Sequence, residues 1–273
     1  MAAYHYSATA PEWCLFYEGT FIDMRNDFTI TRPFVDILKG QPDTLNSKTH
    51  PWEGTVDPRL AMFTTPRNGV YIGIPFGIPS NTMQAAYRNA APNWYTAPPM
   101  HLKPGYQVPL MTYAEVQFII SERNGFSMAE YAEGVEASID YWSSVSGVSV
   151  SNADKAAYIS DVTQSVDAEA VALQKYIDLY TNGTEAWVEI RRTGYPDQLL
   201  KPGEISVGTI TFTPLSDTKG LIIPRVKYPT NESTLNGASY NEAVSKLDGG
   251  TNNYHTQMFW DKRSLADPHP ANK

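Results

Sequence analysis

The chain contains a single cysteine among its 273 residues, Cys14, so no disulfide bond can form within it. Pro11, Glu12 and Trp13 precede this cysteine in place of the small residues of a bacterial lipid-attachment motif. We therefore expect Cys14 to be a small, buried apolar side chain. The first residues also lack the basic and apolar segments of a signal peptide, and no apolar run approaches the length of a membrane-spanning helix.

Runs of lysine and arginine are absent, and the formal net charge is −8, which argues against a nucleic-acid-binding protein. No two histidines are three or four residues apart, and no Walker loop, Gly-x-Gly-x-x-Gly turn, EF-hand loop or Gly-x-Ser-x-Gly elbow occurs. The sequence therefore predicts no cofactor, although a calcium site built from dispersed Asp and Asn oxygens would leave no motif.

Hydrophobic residues make up 42% of the chain and charged residues 18%, which is the composition of a globular protein. Aromatic residues make up 12%, including 17 tyrosines and 6 tryptophans. Aromatic-rich surfaces often bind sugars or peptides, but the same side chains also fill the seams of an irregular fold. Composition leaves both interpretations open.

The first part of the chain, residues 1–110, is predicted to be rich in loops because prolines recur throughout it. A short helix is expected over 33–39, ended by Gly40, and the alternating pattern of 70–74 predicts a short strand. Long loops inside a compact protein usually carry function.

Helices are predicted in residues 111–193, because apolar residues recur there three or four positions apart. Gly or Asn-Gly pairs between these stretches indicate the helix ends. Helices are predicted over 112–123, 127–147, 154–161, 167–180, and 185–192 with Thr184 as its cap. Helices of this length with short connections predict antiparallel pairs packed in a tetratricopeptide-like way, although no repeat of about 34 residues is visible.

Residues 197–273 return to a loop-rich pattern. A short hairpin is expected over 205–214 with Gly208 at its turn, and a last helix over 240–247 with Ser239 as its cap.

Glu185 and Glu189 are the acidic pair that most needs testing for catalysis, because a glycosidase requires two carboxylates across a cleft. They lie four residues apart on one predicted helix face, so their side chains point the same way. With Trp187, Arg191 and Arg192 they predict a salt-bridged packing face, in which the tryptophan anchors a core and the arginines reach carbonyl groups near the helix end.

Several blocks of the sequence resemble, in order, those of the SusD/RagB family of outer-membrane nutrient-binding lipoproteins. The block 185–196 is similar to the family pattern E-x-W-x-x-x-R-R-x-G-x-P. The other matching blocks are 57–60 with 71–75, 109–116, 223–229 with Glu232, Asn236, Tyr240 and Ala243, and 259–261. Each block is weak alone, but together they cover nearly the whole chain.

The resemblance implies a mainly α fold of tetratricopeptide-like helix pairs with long irregular loops and a few short strands. It implies a lipoprotein at the surface of a Bacteroidetes-type outer membrane that binds glycans, or peptides in the RagB branch. It also implies a SusC-like TonB-dependent transporter as the partner that receives the ligand.

Family members are longer, and this chain corresponds to their carboxy-terminal half to two-thirds. The amino-terminal part, with its lipid anchor, is then expected to be missing or to exist as a separate partner chain. On this view residues 1–110 form a segment with the ligand-binding loops and residues 111–273 form a helical core with carboxy-terminal loops. The two belong to one domain that is incomplete without the amino-terminal part.

Sugar rings have flat C–H faces on which aromatic side chains stack, while polar neighbours bind the hydroxyl groups. The best patch of this kind is the loop 87–95, which brings Trp94 and Tyr95 together with Arg88 and Asn93. In SusD-like proteins the loop ahead of the helical part often contributes to the ligand face, so the resemblance supports this choice. Weaker candidates are Tyr71, Trp52 and Trp13.

Three function classes remain: a glycan-capturing accessory protein, a peptide-binding or assembly subunit of the transporter, and an enzyme. Exposed aromatic residues without paired acids favour the first, and a face without exposed aromatic residues favours the second. The third requires two opposed carboxylates about 5–10 Å apart, for which the sequence offers no candidate pair.

Replacing Trp94 tests the predicted loop. Trp94→Ala is expected to abolish glycan retention in affinity gels, because the largest stacking surface of the loop is lost. The melting temperature should stay within a few degrees of wild type, since a loop side chain adds little to the core. Unchanged glycan retention would reject the loop as the binding site.

Overall fold

A computed structural model of the chain describes residues 2–24, 29–82, 103–258, 261 and 270–272. Before residue 111 the described elements are short, as the prolines predict. They are strand β1 (Ala2–His5), helix α1 (Leu15–Tyr17) continued by a π-helical turn (Glu18–Ile22), helices α2 (Arg32–Leu38) and α3 (Leu60–Phe63), and strand β2 (Gln107–Met111).

The helical part follows the predicted order, and the mainly α fold is confirmed. The helices are α4 (Tyr113–Arg123), α5 (Met128–Ser146), α6 (Asn152–Val162), α7 (Ala168–Asp178) and α8 (Gly183–Thr193). After them come a hairpin of β3 (Ile205–Val207) and β4 (Ile210–Thr211), then α9 (Glu232–Leu235) and α10 (Gly237–Ser245).

Local capping explains where these helices begin and end. The Thr112 side chain accepts a hydrogen bond from the Glu115 amide and starts α4, and Ser151 and Asp167 do the same for α6 and α7. Gly147 ends α5 with a φ of 77°, a left-handed conformation that glycine adopts without strain.

Three local predictions need correction, and one strand pairing was missed. Residues 70–74 form no strand, because Ile74 makes only an isolated bridge to Thr31. Helix α8 is capped by Asn182, whose side chain accepts from the Glu185 amide, and not by Thr184. The last helix starts at Gly237, before the expected cap Ser239. The antiparallel pair of β1 and β2 joins residues more than a hundred positions apart and was not predicted from local pattern.

One hydrophobic core contains residues from both the loop-rich and the helical part of the chain. Its centre is aromatic: the Phe34 ring stacks on Tyr180 at 5.4 Å, and Phe63 lies 4.3 Å from Tyr180 and 4.9 Å from Trp142. Cys14 is fully buried, as predicted. The loop-rich segment is therefore packed on the helices and does not stand apart from them.

Helices α4 and α5 form the tightest pair, and their contact depends on a glycine. A Cβ atom added to Gly134 of α5 would lie 2.7 Å from the Phe118 ring of α4. A larger residue at 134 would push the two helices apart, because no real Cβ contact is that short.

A fully buried arginine, Arg59, crosslinks the loop-rich segment to the helices. Its guanidinium group makes a bidentate pair with Asp57 at 2.9 and 2.6 Å. It also donates to Ser138 Oγ of α5 at 2.8 Å and to Gln174 Oε1 of α7 at 2.5 Å. Burial opposes the charge, but Asp57 outweighs that effect and raises the pKa of Arg59, so the side chain stays ionised.

The network continues to a second buried acid, Asp178 of α7. Its two carboxylate oxygens accept from Ser138 Oγ at 2.7 Å and from Thr112 Oγ1 at 2.5 Å. Tyr158 of α6 donates to Asp57 Oδ2 at 2.5 Å. We call these residues, together with Arg59 and Gln174, the Arg59 network.

Replacing Arg59 is expected to destabilise the fold strongly. Arg59→Met leaves the Asp57 carboxylate buried without its cation, and breaking a buried pair in this way costs about 3–5 kcal/mol of unfolding free energy. Urea denaturation at neutral pH measures the loss. The control is Lys246→Met, whose 72% exposed side chain pairs with the equally exposed Glu242 and should contribute within about 1 kcal/mol. Equal losses for the two variants would contradict the proposed role of the network.

Candidate functional site

Some of the predicted ligand contacts lie among the described residues and others do not. Trp94, Tyr95, Asn93 and Arg88 lie outside the described residues, so their role stays a prediction. Trp52 is buried to 6% exposure, with its ring edge-on to His50 at 5.1 Å. It therefore presents no open ring face for a sugar and is a core residue in this structure.

Tyr71, the other predicted contact in the described part of the chain, is half-buried and packs against the hydrophobic core. Part of its ring is accessible, but the flanking backbone is irregular.

Trp13 belongs to a group of aromatic side chains at the start of the chain that we call the aromatic face. Its ring lies 6.0 Å from Tyr17, and Tyr17 lies 5.3 Å from Phe21. Tyr4, 57% exposed, makes an edge contact with Tyr6 at 4.8 Å. The aromatic face comprises these two groups of contacting rings, Tyr4 with Tyr6 and Trp13 with Tyr17 and Phe21.

Two local patterns produce the aromatic face. Tyr17 and Phe21 are spaced four apart in helix α1 and its π-helical continuation, and Trp13 precedes the helix with its ring against Tyr17. Tyr4 lies in strand β1, which pairs with β2. The spacing of 13, 17 and 21 was visible in the sequence, whereas the position of Tyr4 depends on a pairing between distant strands.

The aromatic face is joined to the segment 103–111. The Cys14 amide donates to the Pro104 carbonyl at 2.8 Å, and Tyr4 is aligned with Val108 in the β1–β2 register. Trp13 is therefore adjacent in sequence to the residue that anchors position 104.

Polar groups accompany the aromatic rings, as a sugar-binding surface requires. Ser7 Oγ and Thr9 Oγ1 are exposed and 2.8 Å apart, and Glu12 is exposed beside Trp13. Burial raises the pKa of the Tyr6 phenol, with smaller contributions from Cys14 and Tyr4, so it remains a hydrogen-bond donor at neutral pH. Rings and hydroxyl groups together can stack on a pyranose and bind its hydroxyls.

Two cavities lie deeper in the protein, on either side of Tyr176. One has a volume of about 340 Å³ and the other about 300 Å³, and Thr31 and Tyr176 line both. Phe34 and Tyr180 line the first together with Thr29 and Thr181, and Phe76 and Trp187 line the second. The first cavity therefore also combines aromatic rings with hydroxyl groups, and it is a second candidate for a sugar ring.

Glu189 and Arg192 of α8 form part of the predicted salt-bridged face. Glu189 contacts Lys175 Nζ at 3.0 Å and Arg192 at 2.8 Å, and Arg192 makes a bidentate pair with Glu122 at 2.6 and 2.7 Å. Buried Glu115 of α4 lies 3.8 Å from the same lysine. These contacts join α4, α7 and α8, and they support packing and not catalysis.

One detail of this region differs from the prediction. Trp187 is half-buried at the wall of the 300 Å³ cavity, with the Arg191 guanidinium 4.1 Å from its ring centre, so it is not a fully buried anchor. Further along the chain, Arg225 donates to the Asn253 carbonyl at 2.7 Å and ties its extended segment to the loop after α10. Arg191 does donate to a carbonyl, that of Pro224.

Among the residues that the structure describes, no group of three or more His, Cys, Asp or Glu side chains could hold a metal ion. Within the same residues, none of the helices combines the length and the apolar character needed to cross a membrane.

Comparison with known proteins gives a consistent result. The sequence profile of a SusD-like family, described as "Starch-binding associating with outer membrane", matches residues 2–229. A comparison with curated protein sequences finds no match.

Solved structures similar to this chain share its fold. Two SusD homologues from Bacteroides fragilis superpose with TM-scores of 0.68 and 0.67 at 19% identity, covering 94% and 96% of this chain. A protein named as chitin-binding superposes with a TM-score of 0.57 at 24% identity over 92% of this chain. The chain spans only about half the length of these proteins, at 56%, 57% and 54%.

Two buried acids, Glu115 and Glu189, are predicted to change the stability of the fold with pH in opposite directions. Burial raises the pKa of Glu115, an effect that Lys175 only partly offsets. A raised carboxyl pKa stabilises the fold below the unfolded-state pKa, and this stability is lost as pH rises through the folded-state pKa. Glu115→Gln should therefore match wild type near pH 3 and be more stable near pH 7.

Glu189→Gln is the matched control. In the wild-type chain burial opposes the ionisation of Glu189. Hydrogen bonds from Arg192 and Lys175 outweigh burial and lower the pKa of Glu189. A lowered pKa stabilises the fold above the unfolded-state pKa, and this stability is lost as pH falls through the folded-state pKa. Glu189→Gln should be less stable than wild type near pH 7. The stability of both variants is measured by urea denaturation near pH 3 and near pH 7. Destabilisation of both variants near pH 7 would show that the ion pair of Glu115 outweighs its burial.

Proposed function

We propose that this chain, which belongs to the SusD-like family described as starch-binding and associated with the outer membrane, captures oligosaccharides at the outer-membrane surface and delivers them to a SusC-like TonB-dependent transporter. The family description supports the glycan ligand and the outer-membrane location. Delivery to a transporter is the part of the proposal that goes beyond that description.

The observation that carries the proposal is the aromatic face and its attachment to the residues after the predicted loop. Half-buried rings at Trp13 and Tyr17 and the exposed ring of Tyr4 supply stacking surface, and Ser7 and Thr9 supply hydroxyl groups. The packed core beneath holds Cys14 rigidly, so little conformational entropy is lost when a ligand binds.

The described acids support binding without bond cleavage. A glycosidase needs a protonated acid and a second carboxylate facing the same glycosidic bond. Here Asp57 is paired with Arg59, Asp178 accepts from two hydroxyl groups, and Glu189 is paired with Lys175 and Arg192. These groups are used in holding elements together, which favours a binding protein over an enzyme.

Substituting the aromatic face tests the proposal. Trp13→Ala and Tyr4→Ala are each expected to weaken retention about 2- to 10-fold in affinity gels that contain soluble starch or a soluble chitin derivative, because each removes a stacking ring. Tyr254→Ala is the matched control, since this residue is also half-buried but lies outside the aromatic face. Isothermal titration with maltooligosaccharides and with chitooligosaccharides then identifies the glycan class.

Four outcomes would contradict the proposal. Retention of no glycan by the wild-type chain would do so, and binding of peptides alone would favour the RagB-like alternative. Release of reducing sugar from any of these glycans would point to an enzyme. Equal effects of Trp13→Ala and Tyr254→Ala would remove the aromatic face from the binding site.

A further inference from the structure

The cavity of about 340 Å³ lies between helices α2, α7 and α8, which contribute Phe34, Tyr176 and Ala186 to its walls. We call it the Phe34 cavity. Cavities that bind small ligands in proteins have volumes of about 300–1,000 Å³. The Phe34 cavity is near the lower end of this range, so it has room for one substituted ring and not for a chain of several.

Two threonine hydroxyl groups at the wall of the Phe34 cavity take no part in holding the fold together. Thr29 Oγ1 is buried, and no described donor or acceptor lies within hydrogen-bond distance of it. Thr31 is at the N-cap position of α2, but its side chain makes no capping hydrogen bond, and Pro33 has no amide hydrogen to donate. A buried hydroxyl group without a partner destabilises the fold, so a polar ligand that bonds to Thr29 would remove that cost.

A third hydroxyl group and several aromatic rings complete the wall. Thr181 Oγ1 is 2.9 Å from the Tyr106 hydroxyl group, and one such bond leaves it able to form another, because a hydroxyl group has one hydrogen and two lone pairs. Phe34 and Tyr180 add apolar surface. A pyranose ring needs both kinds of contact, since it carries C–H groups on its faces and hydroxyl groups around its edge.

The Phe34 cavity is unfavourable for charged groups. None of its described lining residues is an aspartate, glutamate, lysine, arginine or histidine. Burial raises the pKa of the Tyr176 phenol to about 12, and it raises the pKa of Tyr180 as well. An environment that disfavours a phenolate also disfavours a carboxylate or an ammonium group on a ligand. The ligand that fits this cavity is therefore uncharged.

We propose that the Phe34 cavity binds one uncharged pyranose residue at the end of an oligosaccharide, with Thr29 and Thr31 as partners of its hydroxyl groups. This inference rests on the proposed function, because it takes a glycan as the ligand. It adds to the aromatic face a second site that selects against uronic acids and free amino sugars.

The neighbouring cavity explains why a single residue is bound. This cavity of about 300 Å³ shares Thr31 and Tyr176 with the Phe34 cavity. Its described wall contains no serine and no threonine besides Thr31, and Phe76 and Trp187 are among its apolar residues. A second sugar ring would lose its bonds to water there without gaining protein partners, so the oligosaccharide has to end in the Phe34 cavity.

Titration with single sugars tests the charge selectivity. The probes are the methyl glycosides of glucose, galactose and N-acetylglucosamine, and their charged counterparts methyl glucuronoside, methyl galacturonoside and methyl glucosaminide. Dissociation constants are measured by nuclear magnetic resonance titration of the wild-type chain. At least one uncharged glycoside should bind, and its charged counterpart should bind at least about tenfold more weakly, because its charge would be buried without a partner.

Substitutions in the wall test the location. Ala186→Leu extends a buried side chain into the cavity and should abolish binding of the glycoside. Its melting temperature should equal or exceed that of wild type, because the added carbon atoms fill empty space.

Thr29→Val and Thr31→Val keep the shape of the side chain and remove its hydroxyl group, and each should weaken binding about 2- to 10-fold. Thr29→Val should be at least as stable as wild type, because it removes a buried hydroxyl group that has no partner among the described residues. The matched control is Thr230→Val, at an exposed threonine outside the cavity, which should bind as wild type does.

Three results would overturn the inference: binding of none of the uncharged glycosides, equal binding of a glycoside and its charged counterpart, or unchanged binding by both Ala186→Leu and Thr29→Val. Retention of starch or chitin by a chain that binds no single glycoside would overturn this inference and leave the proposed function intact. Binding of a single glycoside by a chain that retains no glycan would support the cavity and contradict the proposed function.

Discussion

The buried guanidinium group of Arg59 is the interaction on which the rest of the structure depends. It has no contact with solvent, and its donors reach the loop-rich segment through Asp57, helix α5 through Ser138 and helix α7 through Gln174. A buried charge is tolerated only where every donor has an acceptor with good geometry. The positions of these elements are therefore coupled, and moving any one of them leaves a buried donor of Arg59 without its acceptor.

This coupling explains how a segment with so many prolines can present a fixed surface. The loop-rich residues have few regular hydrogen bonds of their own, and they are held by contacts to the helices. Besides the Arg59 network, the Tyr180 hydroxyl donates to the Phe63 carbonyl at 3.0 Å, and the Tyr106 and Thr181 hydroxyls are 2.9 Å apart. The helices thus act as a scaffold, and the loop-rich segment, with the aromatic face, supplies the surface available to a ligand.

The sequence was informative wherever structure is decided within one or two turns of chain. Thr112, Asp167 and Gly147 define helix ends through contacts with residues three or four positions away, and these ends were predicted correctly within a few residues. Pairing between distant segments was not predictable in this way. Strand β1 is defined by residues 107–111, and its own pattern of four residues carries too little periodicity to indicate a strand.

The same distinction applies to the candidate site. The spacing of Trp13, Tyr17 and Phe21 could have indicated that their rings are neighbours, but only the contact of Cys14 with Pro104 reveals that they lie beside the segment 103–111. Trp52 was predicted as a ligand contact because it is a tryptophan in a proline-rich region. In the structure it is buried against His50 and belongs to the core, which its sequence context did not indicate.

The distribution of charge and aromatic surface favours the proposed binding role over catalysis. Catalytic acids are held near water and near each other, with at least one left free to give up a proton to the substrate. In the described part of this chain, the strongest acidic contacts, those of Asp57, Asp178 and Glu189, are directed at arginine, lysine and hydroxyl groups that join separate helices. The aromatic rings of the aromatic face, in contrast, remain partly accessible at the surface. A molecule built in this way can hold a ligand by stacking and hydrogen bonding, while its ionised groups maintain the scaffold that positions those rings.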